Sequence, residues 1–139
     1  MKFQGTVLLV DDEAHIRKFI GLILRQFSIP RLLEASNGEE ALEIYSREKP
    51  DLVLLDVNMP KMGGLETLKQ LRVLNPDCVV VMLTSLATRQ TIEEAAELGA
   101  TNYIRKDTPK EEIAAALQET LEANFDLTEE NPPSHEPRP

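Results

Sequence analysis

The chain has 139 residues, 42% of them apolar, and its 24 acidic against 15 basic side chains give a formal net charge of −9. That length fits one domain with a real core, and the acidic balance, with lysines and arginines scattered along the chain, argues against direct binding to nucleic acid or an anionic membrane. No apolar stretch nears the roughly 20 residues of a membrane span and the N-terminus lacks a secretory pattern, so a cytoplasmic location is expected.

Short apolar runs alternate with helical patterns. Strands are predicted near residues 6–10, 31–35, 52–56, 78–83 and 102–106, and helices between them. After the first run, Ile16, Phe19, Ile20, Ile23, Leu24 and Phe27 fall at spacings of three and four, which puts an apolar stripe on a helix of about four turns. Ala41, Leu42 and Tyr45 mark a second helix after Asn37-Gly38, and Leu65, Leu68, Leu71 and Leu74 a third after Gly63-Gly64; Pro50 and Pro76 stop them. Ile92, Ala95 and Ala96 carry a fourth helix that Gly99 closes. Ile113, Ala116, Leu117 and Leu121 carry a fifth, for which Thr108-Pro109-Lys110-Glu111 reads as a capping box with proline at the first helical position. The single Cys78, inside an apolar run, is expected to be a buried thiol. From residue 126 to 139 there is no periodicity and there are four prolines, the composition of a disordered tail.

This alternation is the signature of a parallel sheet covered by helices on both faces. Right-handed crossovers bring the carboxyl ends of all its strands to one edge, where open α/β sheets bind ligands. Four of those ends carry polar chemistry: Asp11 and Asp12 after the first strand, Asp56 at the third, Thr84 and Ser85 at the fourth, Lys106 at the fifth. Carboxylates about 4 Å apart repel by roughly 4 kcal/mol at an effective dielectric near 20, so the acids need protons or a cation. A small divalent metal would answer that need, and acids, a hydroxyl and an ammonium together suit phosphoryl transfer, for which aspartate is a known acceptor.

The acidic pair Asp11-Asp12, the stretch from Asp56 through Val57-Asn58-Met59-Pro60-Lys61-Met62 to Gly63-Gly64, then Thr84, Tyr103 and Lys106 resemble the receiver domain of the two-component response-regulator family. The resemblance spans residues 5–125 and is similar to stand-alone members, since only the tail follows. It implies a flavodoxin-like (βα)5 fold with strand order 2-1-3-4-5. It also implies that Asp56 is the phosphoacceptor and that Mg2+ is held by Asp11, Asp12, Asp56 and the backbone carbonyl of Asn58. Thr84 and Lys106 would receive the phosphoryl oxygens, and Thr84 and Tyr103 would switch the face of helix four, strand five and helix five. The implied partners are a histidine kinase or phosphotransfer protein upstream and a target protein downstream, with the chain a monomer or a phosphorylation-dependent dimer that catalyses only its own phosphorylation and dephosphorylation.

Most members of that family have proline straight after the lysine, where this chain has Asp107. A cis bond before a non-proline residue costs about 2.5–4 kcal/mol, so a trans bond is expected, with Asp107 a competitor for the ammonium that Lys106 aims at Asp56. Two residues after the acceptor and after the threonine stand Asn58 and Leu86; the leucine cannot hold an attacking water, so autodephosphorylation is expected to be slower than in a Leu86→Glu or Leu86→Gln variant.

Taken singly, each residue has a plainer role. Asp11 or Asp12 would serve as a helix cap, Asp56 as a turn residue, Thr84 as a loop or cap hydroxyl, Lys106 as a solvated strand end and Tyr103 as core. The Glu93-Glu94-Glu97 run suits an exposed helix face, and His15 and His135 have no partners at zinc spacing. Two other functions stand beside the switch: a haloacid-dehalogenase-like metal-dependent phosphatase, whose alternating acids and cap are lacking here, and an unphosphorylated receiver-like interaction module.

Overall fold

Leucine- and valine-rich segments buried on both faces can pair only with each other, and Thr6–Val10 (β1), Leu52–Leu55 (β3) and Val79–Thr84 (β4) form the centre of a parallel sheet. Arg31–Ala35 (β2) and Asn102–Arg105 (β5) are its edges, giving the order β2-β1-β3-β4-β5. The computed structural model describes residues 4–85 and 87–125; residues 1–3, Leu86 and the segment 126–139 lie outside the described residues. The five helices are Ala14–Leu24 (α1), which a 3-10 turn over Arg25–Phe27 prolongs, Gly38–Glu48 (α2), Gly64–Leu74 (α3), Arg89–Glu97 (α4) and Lys110–Asn124 (α5).

Alternation along each strand divides the core. Val7, Leu9, Leu54 and Val81 face Ile20 and Ile23 of α1 and Ile113 and Leu117 of α5. Leu8, Val53, Val80 and Met82 face Ala41 and Tyr45 of α2, Leu68 of α3 and Ala95 of α4. Cys78 is a buried free thiol on the second side. No helix among the described residues is long and apolar enough to cross a membrane.

Register determines what meets at the carboxyl edge. Val10 pairs with Leu55, Leu55 with Met82, and Thr84 with Arg105. The residues just beyond β1 and β3, Asp11 and Asp56, are therefore neighbours, and the Asp56 N–H donates to the Val10 carbonyl at 3.0 Å. On the far side the Lys106 N–H donates to the Thr84 carbonyl at 2.9 Å.

Three features depart from the sequence reading. The capping box expected at α5 does not form: Pro109 is itself the N-cap, in an extended conformation, and its carbonyl accepts from Glu112 and Ile113. The helix starts one residue later because the Thr108 N–H is committed to the Arg105 carbonyl, closing a turn at 3.1 Å. A capping box forms instead at α4, between Thr88 and Thr91. Finally, the apolar stripes are narrower than spacing implies. Phe19, Ile92 and Leu74 are 37%, 40% and 52% exposed; α4 packs through Ala95, with Leu98 just past its end, and Leu74 is the last residue of its helix.

Candidate functional site

Asp11 and Asp56 are buried, at 2% and 3% exposure, while Asp12 faces solvent. One carboxylate oxygen from each can lie within 4.8 Å of the others. Neither acid after β1 is the N-cap of α1, a place taken by Glu13 without a side-chain capping bond. Asp11 instead accepts the Glu13 N–H at 2.9 Å, and its own carbonyl accepts from Arg17 Nη1 at 2.6 Å, so the first acid is held from both sides.

Lys106 enters this cluster from β5. Its ammonium is 2.5 Å from Asp11 Oδ2, 3.2 Å from Asp56 Oδ2 and 3.7 Å from Glu13 Oε1. The lysine thus reaches Asp56 while sitting closer to Asp11. Peptide bonds are trans throughout the described residues, the Lys106-Asp107 bond included. Asp107 does not take the ammonium; it is paired with Arg105, at 3.0 Å from Nε to Oδ1 and 2.8 Å from Nη2 to Oδ2.

Burial and the charge of Asp11 push the Asp56 carboxyl above its usual range, against the ammonium of Lys106 and the Asn58 N–H, which stabilise its anion. Burial opposes the Lys106 charge too, but the hydrogen bond to Asp11 and the charges of Asp56 and Asp11 outweigh it, so its pKa is raised. Asp56 is therefore a carboxylate whose charge the fold disfavours. A further cation or a covalent change at its oxygen would relieve that cost.

The loop after Asp56 is held tightly. The Gly64 N–H donates to the Val57 carbonyl at 2.8 Å, and a Cβ on Gly64 would lie 2.0 Å from the Asp56 carbonyl oxygen. Only glycine allows α3 to begin this close to the acid. The same loop turns at Lys61, which has a positive φ of 67°, and leaves Asn58 exposed.

Thr84 ends β4 and is completely buried, on the α4 side of the sheet with Val80 and Met82. Tyr103, in register with Met82, packs partly buried on that side, and its hydroxyl donates to Thr91 Oγ1 at 3.1 Å. Thr91 shares the α4 capping box with Thr88, so the tyrosine is tied to the start of that helix.

Sequence reasoning thus names the acids, Thr84, Tyr103, Lys106, Gly64 and Asp107, but not Glu13, Arg17, Thr88, Thr91 or the pairing of Arg105 with Asp107. A second threonine three residues after Thr88 was the available sign of the cap, and the third acid in Asp11-Asp12-Glu13 the sign of extra charge near the lysine.

A doubly wound parallel sheet of order 2-1-3-4-5, with acids, a threonine and a lysine at its carboxyl edge, defines a flavodoxin-like α/β protein whose site lies at strand ends. The family model described as the response regulator receiver domain matches residues 7–118, and the chain belongs to that family. It is 35% identical over 115 residues to the sporulation initiation phosphotransferase F of Bacillus subtilis, an alignment covering 83% of this chain and 92% of that protein. With the chemotaxis protein CheY of the same organism it shares 31% identity over 115 residues, covering 83% of this chain and 96% of that one. The structure is similar to that of a CheX-CheY-BeF3-Mg+2 complex from Borrelia burgdorferi, with a TM-score of 0.79, 27% identity, and coverage of 87% and 90% of the two chains.

Proposed function

We propose that this receiver domain is a phosphorylation-controlled switch in which Asp56 accepts a phosphoryl group from the phosphohistidine of a histidine kinase or phosphotransfer protein. The observation that carries this is a buried carboxylate, disfavoured as an anion, with a lysine ammonium 3.2 Å away and two further acids at hand. In the transfer an Asp56 oxygen forms a bond to phosphorus while the P–N bond of the donor breaks, and the donor imidazole keeps that electron pair. The chain turns over only its own phosphoryl group.

The donor set fits Mg2+, which takes oxygen ligands and keeps several waters, and the mutual repulsion of Asp11, Asp12 and Asp56 favours a divalent cation. Asp11, Asp12, Asp56 and the Asn58 carbonyl would hold it, and when bound it would supply charge neutralisation for the phosphoryl oxygens. Lys106, already within reach of Asp56, would leave Asp11 for a phosphoryl oxygen, and the Thr84 hydroxyl would donate to another. Moving Thr84 draws on the loop before α4, and Tyr103, now bonded to Thr91, would follow, changing the face of α4, β5 and α5 that a downstream protein reads.

Incubation with Mg2+ and a small acyl phosphate, read by intact mass, tests this. One phosphoryl group per chain, absent in Asp56→Asn, is expected. Continuous hydrolysis of many phosphoesters would favour a phosphatase, and no incorporation an inert interaction module.

A further inference from the structure

The residue after Lys106 is an acid in this chain, and it is the carboxylate nearest to that lysine in sequence. An exposed carboxylate there is a trap for an ammonium whose work lies inward. The structure shows both of its oxygens occupied: Arg105 Nε and Nη2 meet Asp107 Oδ1 and Oδ2 in a fork, at 3.0 and 2.8 Å. Bidentate guanidinium–carboxylate pairing is the geometry that most fully satisfies a carboxylate. Two backbone bonds frame the pair, from the Lys106 N–H to the Thr84 carbonyl and from the Thr108 N–H to the Arg105 carbonyl. Within this turn the lysine side chain goes in, to Asp11 and Asp56, while its two charged neighbours close on each other outside.

We propose that Arg105 is a positioning residue for phosphoryl transfer: by holding both oxygens of Asp107 it keeps that carboxylate from drawing the Lys106 ammonium out of the acid cluster. This rests on the reading of Asp56 as phosphoacceptor. Neutralising Arg105 frees Asp107 to compete, and a lysine drawn outward has two consequences of opposite sense. It serves the phosphoryl oxygens less well, which slows transfer, and it vacates Asp11 and Asp56, which relieves competition with a metal cation.

The test uses the full chain and the variants Arg105→Gln, Asp107→Asn and the double variant. The initial rate of phosphoryl incorporation from acetyl phosphate is measured at saturating Mg2+, and Mg2+ affinity by calorimetry without any phosphodonor. Arg105→Gln is expected to slow transfer by about two- to five-fold, the range open to an exposed ion pair, while binding Mg2+ at least as tightly as the parent. Asp107→Asn keeps the parent rate, and adding it to Arg105→Gln restores that rate. An unchanged rate in Arg105→Gln, a double variant as slow as Arg105→Gln, or Mg2+ binding weakened together with the rate would each overturn the positioning role. A parent chain that takes up no phosphoryl group would overturn the underlying acceptor reading as well, so the two failures are distinct.

Discussion

Replacing Lys106 by methionine removes the charge that two buried carboxylates share while keeping an apolar side chain of similar length. At an effective dielectric near 20, unit charges at the observed 2.5 and 3.2 Å attract by roughly 7 and 5 kcal/mol. Asp11 and Asp56 repel at up to 4.8 Å by roughly 3 kcal/mol. Much of the attraction is offset in the parent by desolvation of the ammonium, and removing one partner of such a buried group costs about 3–5 kcal/mol. Lys106→Met is therefore expected to lose about 3 kcal/mol of unfolding free energy in urea at pH 7 with EDTA. The sign of the pH effect follows from Asp56. Its folded pKa already lies above the unfolded value of 3.8, and loss of the ammonium raises it further. The folded variant then binds a proton more tightly than the unfolded one, so its deficit shrinks as pH falls from 7 towards 5. Added Mg2+ shrinks it too, by supplying another cation. A variant as stable as the parent at pH 7 in EDTA, or a deficit that ignores both pH and Mg2+, would refute this electrostatic account.

Other outcomes follow from the same geometry. Asp56→Asn, which removes a disfavoured charge, should raise stability at pH 7 by on the order of 1 kcal/mol, and the gain should fade as pH falls through the raised folded pKa and be gone below 3.8, where the parent carboxyl is protonated in both states. Gly64→Ala drives a methyl group into the Asp56 carbonyl and should cost about 1–3 kcal/mol in urea unfolding. Leu86→Gln should hasten loss of the phosphoryl group, followed by intact mass after removal of the donor, because the amide can hold a water that leucine cannot. Decay no faster than in the parent would remove Leu86 from that role.

The strands were legible because each is a short apolar run bounded by polar residues, and their order along the chain already placed Asp11, Asp56, Thr84 and Lys106 at one edge. Strand order 2-1-3-4-5 came with the family likeness, since alternation alone does not say which strands are neighbours. What local pattern missed was tertiary competition. Thr108 reads as a cap, but its backbone is spent on Arg105, so the helix begins at Lys110 without it. Phe19 and Ile92 fit apolar spacing yet lie at the margins of their helices' buried faces. Lys106 reaches Asp56 as expected, and what spacing does not show is that Asp11 holds the same ammonium at 2.5 Å. Spacing also cannot show that Arg105, two residues before Asp107, closes on it.

In the proposed switch Asp56, and no other acid of the cluster, carries the phosphoryl group. Borohydride reduces an aspartyl phosphate to homoserine, so reduction after incubation with Mg2+ and acetyl phosphate, followed by peptide sequencing in the mass spectrometer, reads the site directly. Homoserine at position 56, dependent on Mg2+, is the predicted result. Homoserine at position 11 or 12, or unmodified aspartate at all three positions, would contradict it.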